Sequence, residues 1–209
     1  RSKIVADLKY NDTGQRNLHR QSAFSGCSGL TSITIPDSVT SSIGDYAFYK
    51  CSGLISVIIG NGVTSIGDYA FYKCSGLTSI TIGNSVTTIG EDTFNDCSGL
   101  KGVYITDIEK WCGISFGYTF SNPLYYAHSL YLDNKLVTDL VIPDSVTSIG
   151  KYTFYNCSGL TSVTIPNKAF ANLKYELPKI TIIRANECFR QKQTKNLQFI
   201  AAKLLIFCL

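Results

Sequence analysis

Few residues in this chain have the types and spacing that do chemistry. Gly113-Ile114-Ser115-Phe116-Gly117 spells G-x-S-x-G. In a hydrolase that string puts a serine nucleophile on a sharp strand–turn–helix elbow, with an acid and a histidine later in the chain. Only His128 follows it, and the other histidine, His19, lies far upstream. Two histidines so placed make neither a general-base network nor a metal cluster, so hydrolysis through Ser115 ranks last among the readings. Eight cysteines are present. Metal sites want close pairs such as C-x₂-C, whereas Cys27, Cys51, Cys74 and Cys97 lie 24, 23 and 23 residues apart and Cys157 resumes the series. These five read as buried thiols acting as small apolar side chains, with disulfides between neighbours as the alternative. Cys112, Cys188 and Cys208 stand outside the series. Asp45, Asp68 and the Glu91-Asp92 pair share one register. They form either a calcium-binding column or a solvated edge that discourages lateral sheet pairing. There is no phosphate loop, dinucleotide fingerprint or EF-hand loop, and no cofactor, metal or catalytic residue is expected.

The elements that must carry these residues are themselves periodic. Cys51-Ser-Gly-Leu54 and the string after it recur almost unchanged from Cys74. A fixed period of this length indicates a solenoid. Each period reads as one coil. Leu54-x-x-Val57-x-Ile59 is a short strand with one apolar face, and its equivalents begin at Leu30, Leu77, Leu100, Val137 and Leu160. A turn follows at Pro36-Asp37, Gly60-Asn61, Gly83-Asn84 and Pro143-Asp144, residue types that such turns favour. Val63-x-x-Ile66 makes a second inward pair, Gly67 bends the chain, and Ala70-Phe71 and Cys74 point inward from a short turn. One coil cannot bury this face alone. Stacked coils bury a continuous core, with strands about 4.8 Å apart.

The string Leu-x-x-Ile-x-Ile-Pro-x-x-Val-Thr-x-Ile-Gly-x-x-Ala-Phe-x-x-Cys resembles the BspA-type (Treponema pallidum-type) leucine-rich repeat. It recurs at 23–59, 54–82, 77–105 and 137–165, and the resemblance spans about 24–167. The resemblance implies a β-rich, right-handed solenoid of six or seven 23-residue coils with a parallel sheet on one face. It also implies a non-enzymatic protein-binding or adhesion module of a bacterial cell-surface or secreted protein, with a host or neighbouring-cell surface or matrix protein as partner. A structural spacer within a longer surface protein is the alternative.

Two surfaces are candidates for contact. The outward positions of the strands are Ser32/Thr34, Ser56/Ile58, Ser79/Thr81, Gly102/Tyr104, Asp139/Val141 and Ser162/Thr164. This face is flat, hydroxylated and nearly uncharged. It reads as plain strand propensity or as a broad contact surface. Ile58, Tyr104 and Val141 interrupt the regular hydroxyl array that would match ice. The second candidate is an edge of tyrosines in two registers, Tyr46, Tyr69 and Tyr152 beside Tyr49, Tyr72 and Tyr155. Tyr offers a rigid contact area with a polar tip, suited to interfaces; ring stacking that stiffens the array is the other reading.

The pattern breaks between Leu100 and Val137, which stand 37 residues apart. Thr106–Trp111 reads as a short capped helical turn, and 129–138 as two strands about a tight Asp133-Asn134 turn. An irregular coil with a hairpin is therefore expected over 106–136. It either projects to bind or holds a local core of Trp111, Phe116, Phe120 and Leu124. After Asn167, Leu177-x-x-Ile180-x-Ile182 recurs at compressed spacing. The chain thus divides into an irregular segment 1–22, a solenoid 23–183, and 184–209 as a helical cap or a tail. Residue 1 is Arg and methionine is absent from the 209 residues, which reads as a processed product or a piece of a longer frame.

Charge is segregated. Residues 1–23 hold five Lys/Arg against two Asp/Glu, 24–167 hold six against eleven, and 168–209 hold eight against two. The net +4 belongs to the ends. An acidic middle disfavours a nucleic-acid surface, and no apolar run approaches the roughly 18 residues of a membrane span.

Overall fold

In the computed structural model the chain is described over residues 21–172, and for the backbone over 181–184. Of the segments expected at 1–22 and 184–209, residues 1–20 and 185–209 lie outside the described residues, as do Leu177 and Ile180 of the compressed strand pattern. The protein is a solenoid of about six coils. The first four strands of its main sheet are β1 (Ser32–Ile35), β2 (Ser56–Ile59), β4 (Ser79–Thr81) and β6 (Gly102–Ile105), paired in parallel and in register. On the opposite side of each coil, β3 (Ser65–Ile66), β5 (Thr88–Ile89) and β7 (Ser115–Phe116) pair into a narrower parallel sheet.

Alternation along each strand decides its faces. In β1 and β2 the second and fourth residues are buried and the third is exposed. Leu54, Val57, Ile59, Val63, Ile66, Ala70, Phe71 and Cys74 are all buried within one coil. Phe24, Phe48, Phe71 and Phe94 stack in a ladder, with centroids 5.2, 5.1 and 5.4 Å apart and planes within 5°. Thr93 and Thr153 replace the alanine of that position and remain buried. Each turns its hydroxyl onto the carbonyl three residues back, Gly90 and Gly150, at 2.8 Å, which removes the cost of burying it.

Polar side chains also tie coil to coil. Asp45 Oδ1 accepts from the Asp68 amide at 2.9 Å, and Asp68 Oδ1 from the Glu91 amide at 2.7 Å. A parallel column runs Asp37 to the Asn61 amide at 2.7 Å and Asn61 to the Asn84 amide at 2.9 Å. The expected carboxylate column is therefore a hydrogen-bond ladder. Glycine is required beside it. A Cβ on Gly90 would stand 2.6 Å from the Asp68 amide nitrogen, closer than any real contact.

The irregular coil is part of the stack. Its α1 (Ile108–Cys112) is capped by Asp107, whose carboxylate accepts from the Glu109 and Lys110 amides. After β7 come a 3₁₀ turn at Thr119–Ser121, α2 (Leu124–Ala127), and a hairpin of β8 (Leu130–Leu132) and β9 (Lys135–Leu136). Asp133 and Asn134 hold φ of 49° and 63°, the left-handed pair that a tight hairpin turn needs. β8 joins β6 in parallel and β9 returns antiparallel, so the main sheet has the order β1-β2-β4-β6-β8-β9. A separate sheet then begins with β10 (Asp139–Val141), β11 (Ser162–Ile165) and β12 (Thr181–Arg184). Between β11 and β12 lies α3 (Asn167–Ala171). The register pairs Val163 with Ile182, where the Leu177-x-x-Ile180 alignment would pair it with Ile180, two residues earlier.

Candidate functional site: a sheet row and a tyrosine edge

The strand register sets the outward face residue by residue. Thr34, Ile58, Thr81, Tyr104, Tyr131 and Leu136 are consecutive cross-strand partners, forming one row over all six strands of the main sheet. Beside it runs a row of small residues, Ser32, Ser56, Ser79 and Gly102. Tyr104 and Tyr131 stack with centroids 4.5 Å apart, and both rings lean over Gly102, where a Cβ would meet each at 3.0 Å. The first row therefore stands proud of the second and carries no charge. Ile58 is 44% and Leu136 50% exposed.

Seven of the sequence-expected sheet residues thus share one face: Ser32, Thr34, Ser56, Ile58, Ser79, Thr81 and Tyr104. Asp139, Val141, Ser162 and Thr164 lie on the separate second sheet. There Asp139 accepts from the hydroxyls of Ser162, Thr161 and Thr138. Those hydrogen bonds, from Ser162 first, hold its carboxyl below the usual carboxylate range. Asp139 and Ser162 therefore serve each other first, while Val141 is exposed. Tyr131 and Leu136 were missed by sequence reasoning. The alternation Leu130-x-Leu132 carries the signal for Tyr131, but only when that run is placed as the next rung of the main sheet.

The tyrosine edge forms two clusters. In the first, Tyr46 stacks on Tyr69 at 5.0 Å and Tyr49 on Tyr72 at 5.3 Å. Within each coil the two rings meet edge-on, at 5.5 and 5.7 Å. Lys50 and Lys73 lie over Tyr49 and Tyr72. Asp92 beside it, more than burial, raises the Tyr69 phenol above its ordinary value. In the next coil Asp92 and Asn95 take the tyrosine positions. Tyr126 seals that gap, with its hydroxyl accepting from the Asp96 amide and donating to Asn95 Oδ1. The second cluster gathers Tyr118 and Tyr125 from the irregular coil around Tyr152 and Tyr155. Tyr118, Tyr125 and Tyr126 follow no repeat register, so no sequence signal announced them.

The remaining chemical candidates have structural posts. Cys51, Cys74 and Cys97 each donate S–H to the carbonyl of the ladder phenylalanine one coil earlier, at 3.1 Å. All the described cysteines are free thiols, and of these Cys27 is exposed. Burial pushes the Cys51 thiol up to about 11 and those of Cys97, Cys112 and Cys157 to about 12, with Cys74 raised further still. None of these five buried thiols is poised as a nucleophile. Ser115 sits in β7 on a ladder with Thr88, not on a strand–turn–helix elbow. The ring of His128 is engaged by the Asn156 carbonyl at 2.9 Å. Among the described residues no three His, Cys, Asp or Glu side chains converge as a metal site, and no helix is long and apolar enough to cross a membrane.

Trp111 lies in the core, edge-on to Phe116 at 5.5 Å. It is buried and its indole N–H reaches the Thr153 carbonyl at 3.2 Å. Buried Asn122 donates to the Tyr152 and Thr153 carbonyls and accepts from the Leu124 amide. The local core expected at Trp111, Phe116 and Leu124 is buried and continuous with that of the solenoid, while Phe120 is half-exposed against Tyr125.

A family model described as a BspA type leucine rich repeat region matches six copies over residues 19–122 and 127–202. No curated protein matches the chain by sequence. Among solved structures, the Treponema pallidum leucine-rich repeat protein is 24% identical, with 84% of this chain and 76% of that one covered and a TM-score of 0.39. A leucine rich cell surface protein from Faecalibacterium prausnitzii is 20% identical over 74% of this chain and 60% of that one, with a TM-score of 0.30. The pneumococcal vaccine antigen PcpA is 19% identical over 73% and 41%, with a TM-score of 0.42. This chain thus spans well under two thirds of PcpA.

Proposed function

The chain belongs to the BspA-type leucine-rich repeat family, and from that premise we propose that it is an adhesin-type binding module, displayed at a bacterial cell surface or secreted. It grips a host or neighbouring-cell surface or matrix protein through its sheet face and tyrosine edge. Repeat solenoids of this kind are generally non-enzymatic interaction scaffolds, and that coarser role needs no further step. The observation that carries the finer reading is the uncharged row Thr34–Ile58–Thr81–Tyr104–Tyr131–Leu136. Six strands at about 4.8 Å spacing extend it over about 24 Å, a length suited to one side of an ordinary protein interface. Apolar surface with ordered tyrosines loses little conformational entropy when covered.

The test is capture of matrix and host-cell surface proteins by the immobilised full chain, repeated with Ile58→Lys. That change puts a charge at the second rung of the row without touching the core. A retained partner whose affinity falls about tenfold or more with Ile58→Lys, about 1.4 kcal/mol, supports the reading. Retention of nothing, or of a partner indifferent to Ile58→Lys and to Tyr46→Ala, overturns it.

A further inference from the structure

We propose that the stacked tyrosines are sites of oxidative cross-linking, at which phenols of adjacent coils join as dityrosine and staple those coils covalently. Three stacked pairs have ring centroids no more than 5.3 Å apart, while a fourth, Tyr125 and Tyr155, stands wider at 6.0 Å. Tyr46 and Tyr69 stack at 5.0 Å with planes 10° apart, Tyr49 and Tyr72 at 5.3 Å and 6°, and Tyr104 and Tyr131 at 4.5 Å and 14°. Every member of these pairs is partly exposed. Each pair joins neighbouring coils, so the fold holds together two phenols that are 23 or 27 residues apart in the chain. Two groups fixed in contact react as if at very high concentration. The edge-on contacts Tyr46–Tyr49 and Tyr69–Tyr72 connect four phenols into one cluster. A radical formed on any of them therefore has a partner within one ring contact. The Phe24–Phe48–Phe71–Phe94 ladder has the same stacking but no phenol to oxidise.

The oxidant is hydrogen peroxide acting through a haem peroxidase. Each of two tyrosines gives up one electron and its phenolic proton, and the peroxide is reduced to two waters. The two phenoxyl radicals then form one carbon–carbon bond between positions ortho to oxygen. The two displaced ortho hydrogens move to the oxygens and restore the phenols. Each link therefore removes two hydrogens from the chain. This inference does not rest on the binding role, because the chemistry needs only the fold and the oxidant.

The experiment treats the dilute, folded full chain with a haem peroxidase and hydrogen peroxide. It reads dityrosine fluorescence, the intact mass and the linked peptides after proteolysis. Expected is a monomer lighter by two hydrogens per link, with links at Tyr46–Tyr69, Tyr49–Tyr72 and Tyr104–Tyr131 and a raised melting temperature. The double variant Tyr69→Phe, Tyr72→Phe keeps every ring and removes one phenol from each edge pair. It loses both edge links and keeps Tyr104–Tyr131. Absence of dityrosine, links found only between chains, links scattered over the thirteen tyrosines, the same links in urea-unfolded chain, or yield unchanged in the double variant each overturns the proposal.

Discussion

The five-fold cysteine register illustrates how one residue type is settled by its surroundings. A thiol is small enough for the core beside the phenylalanine ladder, and its S–H finds a carbonyl in the preceding coil. Removing it from water penalises the thiolate. The consequence for stability follows from the sign. The folded values, about 11 for Cys51 and about 12 for Cys97, Cys112 and Cys157, lie above the ordinary 9.0 of the unfolded thiol. The unfolded chain therefore ionises first as pH rises. Stability is fully present below pH 9 and falls as pH climbs through the folded values. Urea unfolding between pH 7 and 11 checks this; a Cys74→Ala, Cys97→Ala chain should show a flatter alkaline limb, though a lower plateau from the lost packing. A second readout is labelling of the native chain by a thiol reagent near pH 8. Cys27, exposed, reacts ahead of Cys51, Cys74, Cys97, Cys112 and Cys157, which react only on unfolding.

At the level of the coil, the turn after Gly67 shows a tension between backbone and side chain. Tyr46, Tyr69 and Tyr152 hold φ of 56°, 55° and 67°, and Lys50, Lys73 and Asn156 hold 57°, 58° and 58°. The left-handed region costs a branched or long residue about 1–2 kcal/mol, and asparagine much less. Asn156 fills that register without conflict, so Lys73→Asn should stabilise the chain by about 0.5–1 kcal/mol in a urea titration. The exposed ion pair with Asp96, at 4.0 Å, offsets little of it. The neighbouring ladder gives an opposite test. Asp68→Ala leaves the Glu91 amide without its acceptor and should cost about 1 kcal/mol. Asp68→Asn keeps an acceptor, as Asn61 does in the parallel column, and should be close to neutral. Much of this was legible in the sequence. The inward pattern from Leu54 to Cys74 and its stacking follow from the 23-residue period, as does the Tyr46–Tyr69 column. The hydrogen-bond role of Asp45 and Asp68 was not, because a carboxylate column looks the same whether it faces a cation, water or an amide one coil away.

For the molecule as a stack, the informative place is where the repeat fails. In a solenoid each coil touches only its neighbours, so stability is a sum of coil and interface terms. The main sheet stops at β9 and a new one starts at β10, with no ladder between them. The sequence located this break to 106–136, but not what bridges it, since Trp111 and Asn122 follow no period. Their partners lie 42 and 31 residues on. Thr153 is the meeting point, its carbonyl receiving the Trp111 indole N–H and the Asn122 amide. The Gly150 amide adds a bond to the Cys112 carbonyl and the Gly159 amide one to His128, at 3.0 and 2.8 Å. The junction is thus held by the continuous apolar core and a few polar contacts around one indole, without the strand ladder that joins the other coils, and it is the interface where the stack should divide first. Asn122→Ala removes two donations and an acceptance from a buried position, leaving the Leu124 amide unpaired, at a cost of about 2–3 kcal/mol. Hydrogen exchange resolved along the chain reads the result. Protection should fall over 139–172 while β2, β4 and β5 keep theirs, because coils on the far side of a broken interface do not depend on it. A uniform loss over 43–172 would instead mean that the chain unfolds as one unit and that the change of sheet is no boundary in its energetics.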